Sequence, residues 1–161
     1  MKKVIVIGCP GSGKSTFSKA LSQKTGLPLI HLDMLNWNAD GTTVGKAVFR
    51  EKLARAIEKG AWIIDGNYAS TLQLRLEACD TVFFLDYPTE VCLEGVRARR
   101  GKPRSDIPWT ETEEDAAFMK FIEAYNTESR PRVMALLRQY TNKDIIVFSA
   151  RAEAQVYLAG L

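Results

Sequence analysis

The chain has 161 residues, 46% of them hydrophobic and 25% charged, a size and balance that suit one globular domain and exclude wholesale disorder. Its 22 basic and 19 acidic residues give a formal net charge of +3, too small for a protein that coats nucleic acid, although a local basic patch stays open. The longest apolar runs are strand-sized, far short of the ~18 residues of a membrane-crossing helix, and Cys9, Cys79 and Cys92 are too widely spaced for a disulfide framework or a zinc site.

Met1-Lys2-Lys3 leads into an apolar run that Gly8, Pro10 and Lys14 soon end, with no small-residue cleavage site. That reads as a first strand rather than a signal peptide, and the protein is expected to be cytoplasmic. Val4 to Ile7 is continuously β-branched, as in a strand buried on both faces. A helix is predicted from about Gly13 to Lys24, with Phe17, Ala20 and Leu21 on one face, Gly26 as its C′ residue and Pro28 as its stop. Leu29 to Leu32 is a second strand, and polar Asn36 to Gly45 a loop. The next helix runs from Lys46 to Lys59 with a stripe of Phe49, Leu53, Ala56 and Ile57. Trp62 to Ile64 is strand three, stopping at Asp65-Gly66, and a short helix covers Ser70 to Glu77. Thr81 to Leu85 is strand four, and Pro88 suits the first turn of a helix that carries Val91, Cys92 and Val96. Arg97 to Arg104 holds five positive charges and Glu111 to Asp115 four negative ones, with Gly101, Pro103 and Pro108 between, so this stretch is a polar excursion rather than core. Phe118, Phe121, Ile122 and Tyr125 mark a helix that Pro131 restarts or kinks, and Val133, Met134, Leu136, Leu137 and Tyr140 continue its apolar face. Ile145 to Phe148 is strand five and Glu153 to Leu158 a closing helix. This alternation predicts an α/β fold with a parallel sheet.

Gly8-Cys9-Pro10-Gly11-Ser12-Gly13-Lys14-Ser15 fits the Walker A pattern at every defined position, after a strand and before a helix. A triphosphate is densely anionic and must be held without side chains filling its space. Glycines let main-chain N–H groups turn inward, and the following helix N-terminus adds partial positive charge. Lys14 is expected at the β- and γ-phosphates, the Ser15 hydroxyl on Mg²⁺, and Thr16 at the α-phosphate. The pattern points to nucleotide binding and leaves the reaction open.

Three strands are expected to end at or near a carboxylate: Asp33, Asp65 and Asp86. Ligands of open α/β sheets sit outside the carboxyl ends of the strands, where such a group holds Mg²⁺ or accepts a hydroxyl proton. Asp33 and Asp65 read as functional on this ground, whereas Asp86 before Tyr87-Pro88 reads as a capping or loop residue. Of the seven basic residues Arg97, Arg99, Arg100, Lys102, Arg104, Arg130 and Arg132, two or three are expected to act on a transferring phosphoryl group, the rest being solvated cations such as those of a helix end. Arg130 and Arg132, flanking Pro131, are placed to meet the Arg97–Arg104 run from the far side. No aromatic residue interleaves with the run, which weighs against a nucleic-acid patch. His31, the single histidine, reads as structural. Trp37 reads equally as a stacking platform for an acceptor and as a loop anchor. Thr141-Asn142-Lys143-Asp144 lacks the residue that a guanine-binding motif needs between Lys and Asp.

The phosphate loop, His31-Leu32-Asp33 followed by Trp37, Asp65-Gly66-Asn67-Tyr68, Phe84-Leu85-Asp86-Tyr87-Pro88, the Arg97–Arg104 run and Arg130-Pro131-Arg132 together resemble the bacterial adenylate-kinase-related proteins called DNA topology modulation proteins. More broadly the whole chain is similar to the nucleoside monophosphate kinase and shikimate kinase group of P-loop enzymes. The resemblance implies one three-layer domain over 1–161 and a five-stranded parallel sheet of order 2-3-1-4-5. It also implies a short lid at about 98–112 and an acceptor region at about 33–60. Asp65 matches a magnesium-site aspartate, and Asp33 a strand-two aspartate near an acceptor hydroxyl. Arg100 and Arg104 look like paired lid arginines, and Arg130 and Arg132 like phosphate-contacting arginines after the lid. Arg97 would join the ATP site, and Ser149 to Ala152, with Arg151, would lie against the adenine. Where adenylate kinases carry Pro-Arg after the Asp-Gly step, this chain has Asn67-Tyr68-Ala69, leaving Arg75 as the nearest candidate.

The expected activity is transfer of the ATP γ-phosphate, with Mg²⁺, to a small acceptor: a nucleotide, nucleoside or hydroxyl metabolite. Lys14, Asp33, Arg100 and Arg104 are the expected catalytic groups. Gly8, Pro10, Gly11, Ser12, Gly13, Lys14, Ser15, Thr16, Arg97 and Arg151 are expected at ATP, and Ser15 and Asp65 at the metal. Asp33, Trp37, Asn67, Tyr68, Arg75, Arg130 and Arg132 are expected at the acceptor. The expected state is a monomer or weak dimer without a membrane partner. The alternative is an ATP-binding regulatory protein associated with nucleic acid.

Overall fold

In the computed structural model, which describes residues 1–111 and 114–161, five strands form one parallel sheet of order β2-β3-β1-β4-β5. They are β1 (Lys3–Gly8), β2 (Leu29–His31), β3 (Trp62–Asp65), β4 (Thr81–Leu85) and β5 (Asp144–Phe148). The expected sheet order is therefore the observed one. Thr112, at the expected end of the lid, and Glu113, of the acidic run, lie outside the described residues.

Helices cover both sheet faces, which is why the strands read as unbroken apolar runs. Side chains alternate across a strand, so Val4 and Val6 enter one core while Ile5 and Ile7 enter the other. The first core receives α1 (Lys14–Thr25), α5 (Thr89–Arg99), α6 (Ala116–Ala124) and α8 (Arg151–Ala159). The second receives α3 (Lys46–Glu58), α4 (Ala69–Ala78) and α7 (Arg130–Leu137). Gly26 ends α1 in the left-handed conformation at φ 74°, its N–H donating to Ser22 O at 2.8 Å. Among the described residues no helix is long and apolar enough to cross a membrane.

One segment differs from expectation. The second strand ends at His31, and Leu32–Asn36 forms a short helix, α2. Leu32 is fully buried and the stretch holds no glycine or proline, so the chain turns helical as soon as it leaves the sheet. Asp33 therefore sits in the first turn of α2 rather than at a strand end. The loop beyond is pinched by an antiparallel bridge between Trp37 and Thr43. At Pro131 the helix restarts as expected: α6 gives way to a π-helical stretch at Tyr125–Ser129, and α7 begins at Arg130 with Pro131 in its first turn. Proline has no N–H and its ring crowds the carbonyl four residues back, and a widened turn absorbs both defects.

Candidate active site

The loop between β1 and α1 is shaped by its glycines. Gly8 has φ 152°, and a Cβ there would lie 2.6 Å from Leu85 O and 2.9 Å from Ser12 Oγ. Gly11, at φ 81°, leaves no room for a Cβ against the carbonyl oxygen of Cys92 in α5. The loop's own carbonyls are tied back. The Lys14 ammonium donates to Gly8 O at 2.9 Å and Cys9 O at 3.2 Å. The Arg151 guanidinium donates to Ser12 O and Gly11 O, both at 3.0 Å, and lies over the Tyr87 ring. The first amides of α1, at Lys14, Ser15 and Thr16, have no intrahelical partner by helix geometry. Burial pulls the Lys14 ammonium below its ordinary value, opposed by Asp65 and Asp33. Ser12 Oγ is buried without a partner among the described residues. A cradle of freed amides, a half-buried cation and an unsatisfied hydroxyl suits the phosphates of a nucleotide.

This loop forms one wall of a cleft of about 1010 Å³ at the carboxyl edge of the sheet. Parallel pairing of His31 with Asp65, and of Asp65 with Val6, brings β2, β3 and β1 to that edge together. His31 Nδ1 lies 2.8 and 2.9 Å from the two carboxylate oxygens of Asp65, so the lone histidine orients that carboxylate. The Tyr68 hydroxyl donates to Asp33 Oδ1 at 2.6 Å and accepts from Asn36 Nδ2 at 3.1 Å. Burial pushes the Asp33 carboxyl up, against the opposing effects of Tyr68 and Lys14. Asn67 Oδ1 accepts from the Gly8 N–H at 3.3 Å, linking the loop to the end of β3. Trp37 meets Trp109 of the lid edge-to-face at 5.5 Å.

The lid side carries Arg99, Arg100 and Arg104, each facing an acid. Arg104 forks onto Asp106 at 2.9 and 2.6 Å and reaches Glu111 at 2.6 Å. Arg99 lies 3.6 Å from Glu111, and Arg100 3.5 Å from Glu114. Asp106 also accepts the Ser15 hydroxyl at 2.7 Å, so the group expected at Mg²⁺ is held by a lid carboxylate. Burial alone would raise Asp106, but Arg104 and Ser15 outweigh it and hold the carboxyl well below the usual range. Six cationic side chains (Lys14, Lys19, Arg99, Arg100, Arg104, Arg151) and six carboxylates (Asp33, Asp65, Asp106, Glu111, Glu114, Asp115) line the cleft, so its described residues carry no net charge.

Pro10, Gly11, Gly13, Lys14, Ser15, Thr16, Asp33, Trp37, Asp65, Asn67, Tyr68, Arg100, Arg104 and Arg151 line this one cleft, with Gly8 and Ser12 immediately behind it. Four expected residues stand elsewhere. Arg97 is on the exposed side of α5, and Arg99 faces the cleft in its place. Arg75 is fully buried in α4, donating to Gly66 O at 3.0 Å, to Tyr68 O at 3.2 Å and to Asn67 O. Burial pulls its guanidinium down to about 10. It braces the turn in which Tyr68 takes φ 38°, a left-handed conformation unusual for a side chain of that size. Arg130 grips Asp86 at 2.7 and 2.8 Å outside the cleft, and Arg132 is exposed.

No family model matches the chain. Over 130 residues it is 28% identical to an adenylate kinase of Anaeromyxobacter dehalogenans, covering 63% of this chain and 61% of that protein. Over 108 residues it is 34% identical to an adenylate kinase of Kosmotoga olearia, covering 62% of this chain and 48% of that protein. The chain thus spans 61% or less of the length of these curated relatives. Among solved structures, a shikimate kinase from Bacteroides thetaiotaomicron superposes with TM-score 0.58 at 22% identity over 98% of this chain and 94% of that one. A shikimate kinase from Acinetobacter baumannii in complex with shikimate superposes with TM-score 0.65 at 15% identity over 99% and 90%. The fold is that of a P-loop kinase.

Within that P-loop kinase fold, sequence reasoning passed over Gly95, Asp106 and Trp109, and named Arg99 only as one member of the basic run. Asp106 belongs to no motif and is placed by the return of the lid onto α1. Trp109 stands among prolines and acids that announce only a loop. Gly95 left a signal: a glycine inside an otherwise good helix usually marks a close approach. Here a Cβ would overlap the carbonyl oxygen of Gly11. Ser15 and Asp65 both line the cleft and carry the oxygen donors a hard cation takes. No group of three His, Cys, Asp or Glu among the described residues could hold a metal by itself, as suits an ion bound mainly by phosphates and water.

Proposed function

We propose that this protein is an ATP- and Mg²⁺-dependent phosphotransferase that moves the γ-phosphoryl group to a small acceptor in the cleft between the phosphate loop and the lid. One observation carries the reading: a half-buried phosphate-loop lysine, a half-buried carboxylate of raised pKa and three lid arginines line the same cleft. Gly8 to Thr16, with Arg151 bracing the loop, hold the triphosphate. Mg²⁺ in such sites neutralises charge between phosphate oxygens, and Ser15 and Asp65 are the residues that would hold it. Asp33, pushed toward a more basic carboxylate by burial, orients the acceptor and takes its hydroxyl proton. Arg100 and Arg104, joined by Arg99, offset the charge that spreads over the transferring group. The similarity to adenylate kinases supports the same chemistry, and so does the resemblance to DNA topology modulation proteins, taken as adenylate-kinase-related enzymes.

A nucleic-acid-associated regulator would need the basic run as an outward strip. Three of its cations instead face lid acids, leaving Arg97 and Lys102 exposed. The deciding experiment is an ADP-release screen over nucleoside monophosphates, nucleosides and small polyols, run with Lys14→Ala as control. Acceptor-stimulated release that disappears in a folded Lys14→Ala variant supports the proposal. Retained turnover in that variant with normal nucleotide affinity refutes it.

A further inference from the structure

This inference rests on the phosphotransferase reading and concerns its acceptor. We propose that the acceptor is an uncharged nucleoside, phosphorylated at a hydroxyl, rather than a nucleoside monophosphate.

The first argument is charge. A monophosphate brings close to two negative charges and needs cations that nothing else holds. Arg75, the nearest arginine in sequence to the acceptor turn, is buried and committed to the carbonyls of residues 66–68. Arg130 is committed to Asp86 outside the cleft. The cleft has no net positive charge even before a triphosphate claims its lid arginines.

The second argument is what the acceptor end does present. Asp33 has Oδ1 bonded to Tyr68, and among the described residues Oδ2 takes no hydrogen bond. It is a carboxylate with one oxygen open to a hydroxyl proton. Trp37 lies beside the same Tyr68 hydroxyl and meets Trp109 edge-to-face. Trp109 Nε1 is buried and has no partner among the described residues, and a buried indole N–H ordinarily has one. A heteroaromatic base supplies both missing elements: a flat π-face for the indoles and a ring nitrogen or carbonyl for that N–H. A cyclic polyol supplies the hydroxyl but no π-face.

The test uses the full chain with ATP and Mg²⁺, offering nucleosides, their 5′-monophosphates and a cyclic polyol, with phosphorylated products read by mass spectrometry. In parallel, nucleoside is titrated against tryptophan fluorescence in the presence of a non-hydrolysable ATP analogue. Trp62 is fully buried in the core, so a change reports Trp37 and Trp109. Transfer to at least one nucleoside at a higher kcat/KM than to its monophosphate is expected. Trp37→Leu should raise the nucleoside KM about 5- to 100-fold. Preference for a monophosphate or a polyol, or an unchanged KM in Trp37→Leu, overturns the acceptor assignment and leaves the phosphotransferase reading standing. If nothing is phosphorylated although the analogue binds, the phosphotransferase reading falls. Fluorescence then decides the pocket alone: saturable quenching by a nucleoside and not by its monophosphate upholds it, and no quenching overturns it.

Discussion

Replacing Asp106 with asparagine should tighten the binding of a Mg²⁺–ATP analogue and loosen the ligand-free protein. Asp106 is 7% exposed. It accepts from Ser15 at 2.7 Å and from Arg104 at 2.9 and 2.6 Å. A nucleotide that recruits Ser15 and Arg104 must first break this latch. Hydrogen bonds to charged groups contribute about 1.5–3 kcal/mol each. Asparagine keeps an acceptor oxygen but loses the charge, so the affinity gain should be near the low end, about ten-fold. The ligand-free variant should lose about 1–2 kcal/mol of stability, since Arg104 keeps Glu111 at 2.6 Å. The carboxyl is depressed in the fold, so its stabilisation is fully present above the unfolded value of about 3.9 and is lost as pH falls through the lower folded value. The stability gap between wild type and variant should therefore hold from neutral pH to about pH 4 and close below it. Titration calorimetry with the analogue and melts across this range measure both effects. Weaker analogue binding by Asp106→Asn would mean that the carboxylate helps to hold nucleotide or metal, and the latch argument would be wrong.

Gly95→Ala adds helix propensity to α5 but drives a methyl into the Gly11 carbonyl. It should lower stability by about 1–3 kcal/mol and weaken analogue binding; a melt above wild type would contradict the close approach. Asp33→Asn removes a carboxylate that burial disfavours. Its folded pKa is raised, so wild type is penalised above that value and relieved as pH falls through it. The variant should melt higher than wild type at pH 7, by a margin that shrinks on acidification, while phosphotransfer falls ~10²–10⁴-fold. Full turnover in that variant would remove Asp33 from the proton path. Arg75→Met leaves the carbonyls of Gly66, Asn67 and Tyr68 without their donor and should cost about 3 kcal/mol; an unchanged denaturation midpoint would show that water replaces the guanidinium.

The sheet and most helices were legible because apolar period and punctuation agree along the chain. Val4 to Ile7 can only be an interior strand, and Gly26 and Pro28 stop α1 as their chemistry demands. The phosphate loop was legible because its glycines answer a local need. What escaped depends on distant partners. Nothing beside Arg75 announces that its charge will be buried against three carbonyls, and nothing near Asp106 announces Ser15, which lies 91 residues earlier. Arg97 and Arg99 look alike as residues, and only the winding of α5 turns one outward and the other into the cleft. Leu32–Asn36 misled because a five-residue helix gives too short a window for a helical period to show.

Helix α5 meets the anion cradle main chain to main chain, at Cys92 and Gly95 against Gly11, and one turn later it ends in the arginines of the lid. The Arg151 guanidinium, bonded to Gly11 O at 3.0 Å and lying beside Gly95, ties this contact to α8 as well. A tilt of this rod that admits a phosphate must swing Arg99 and Arg100 with it, so cradle and cover are geared together by a single rigid lever.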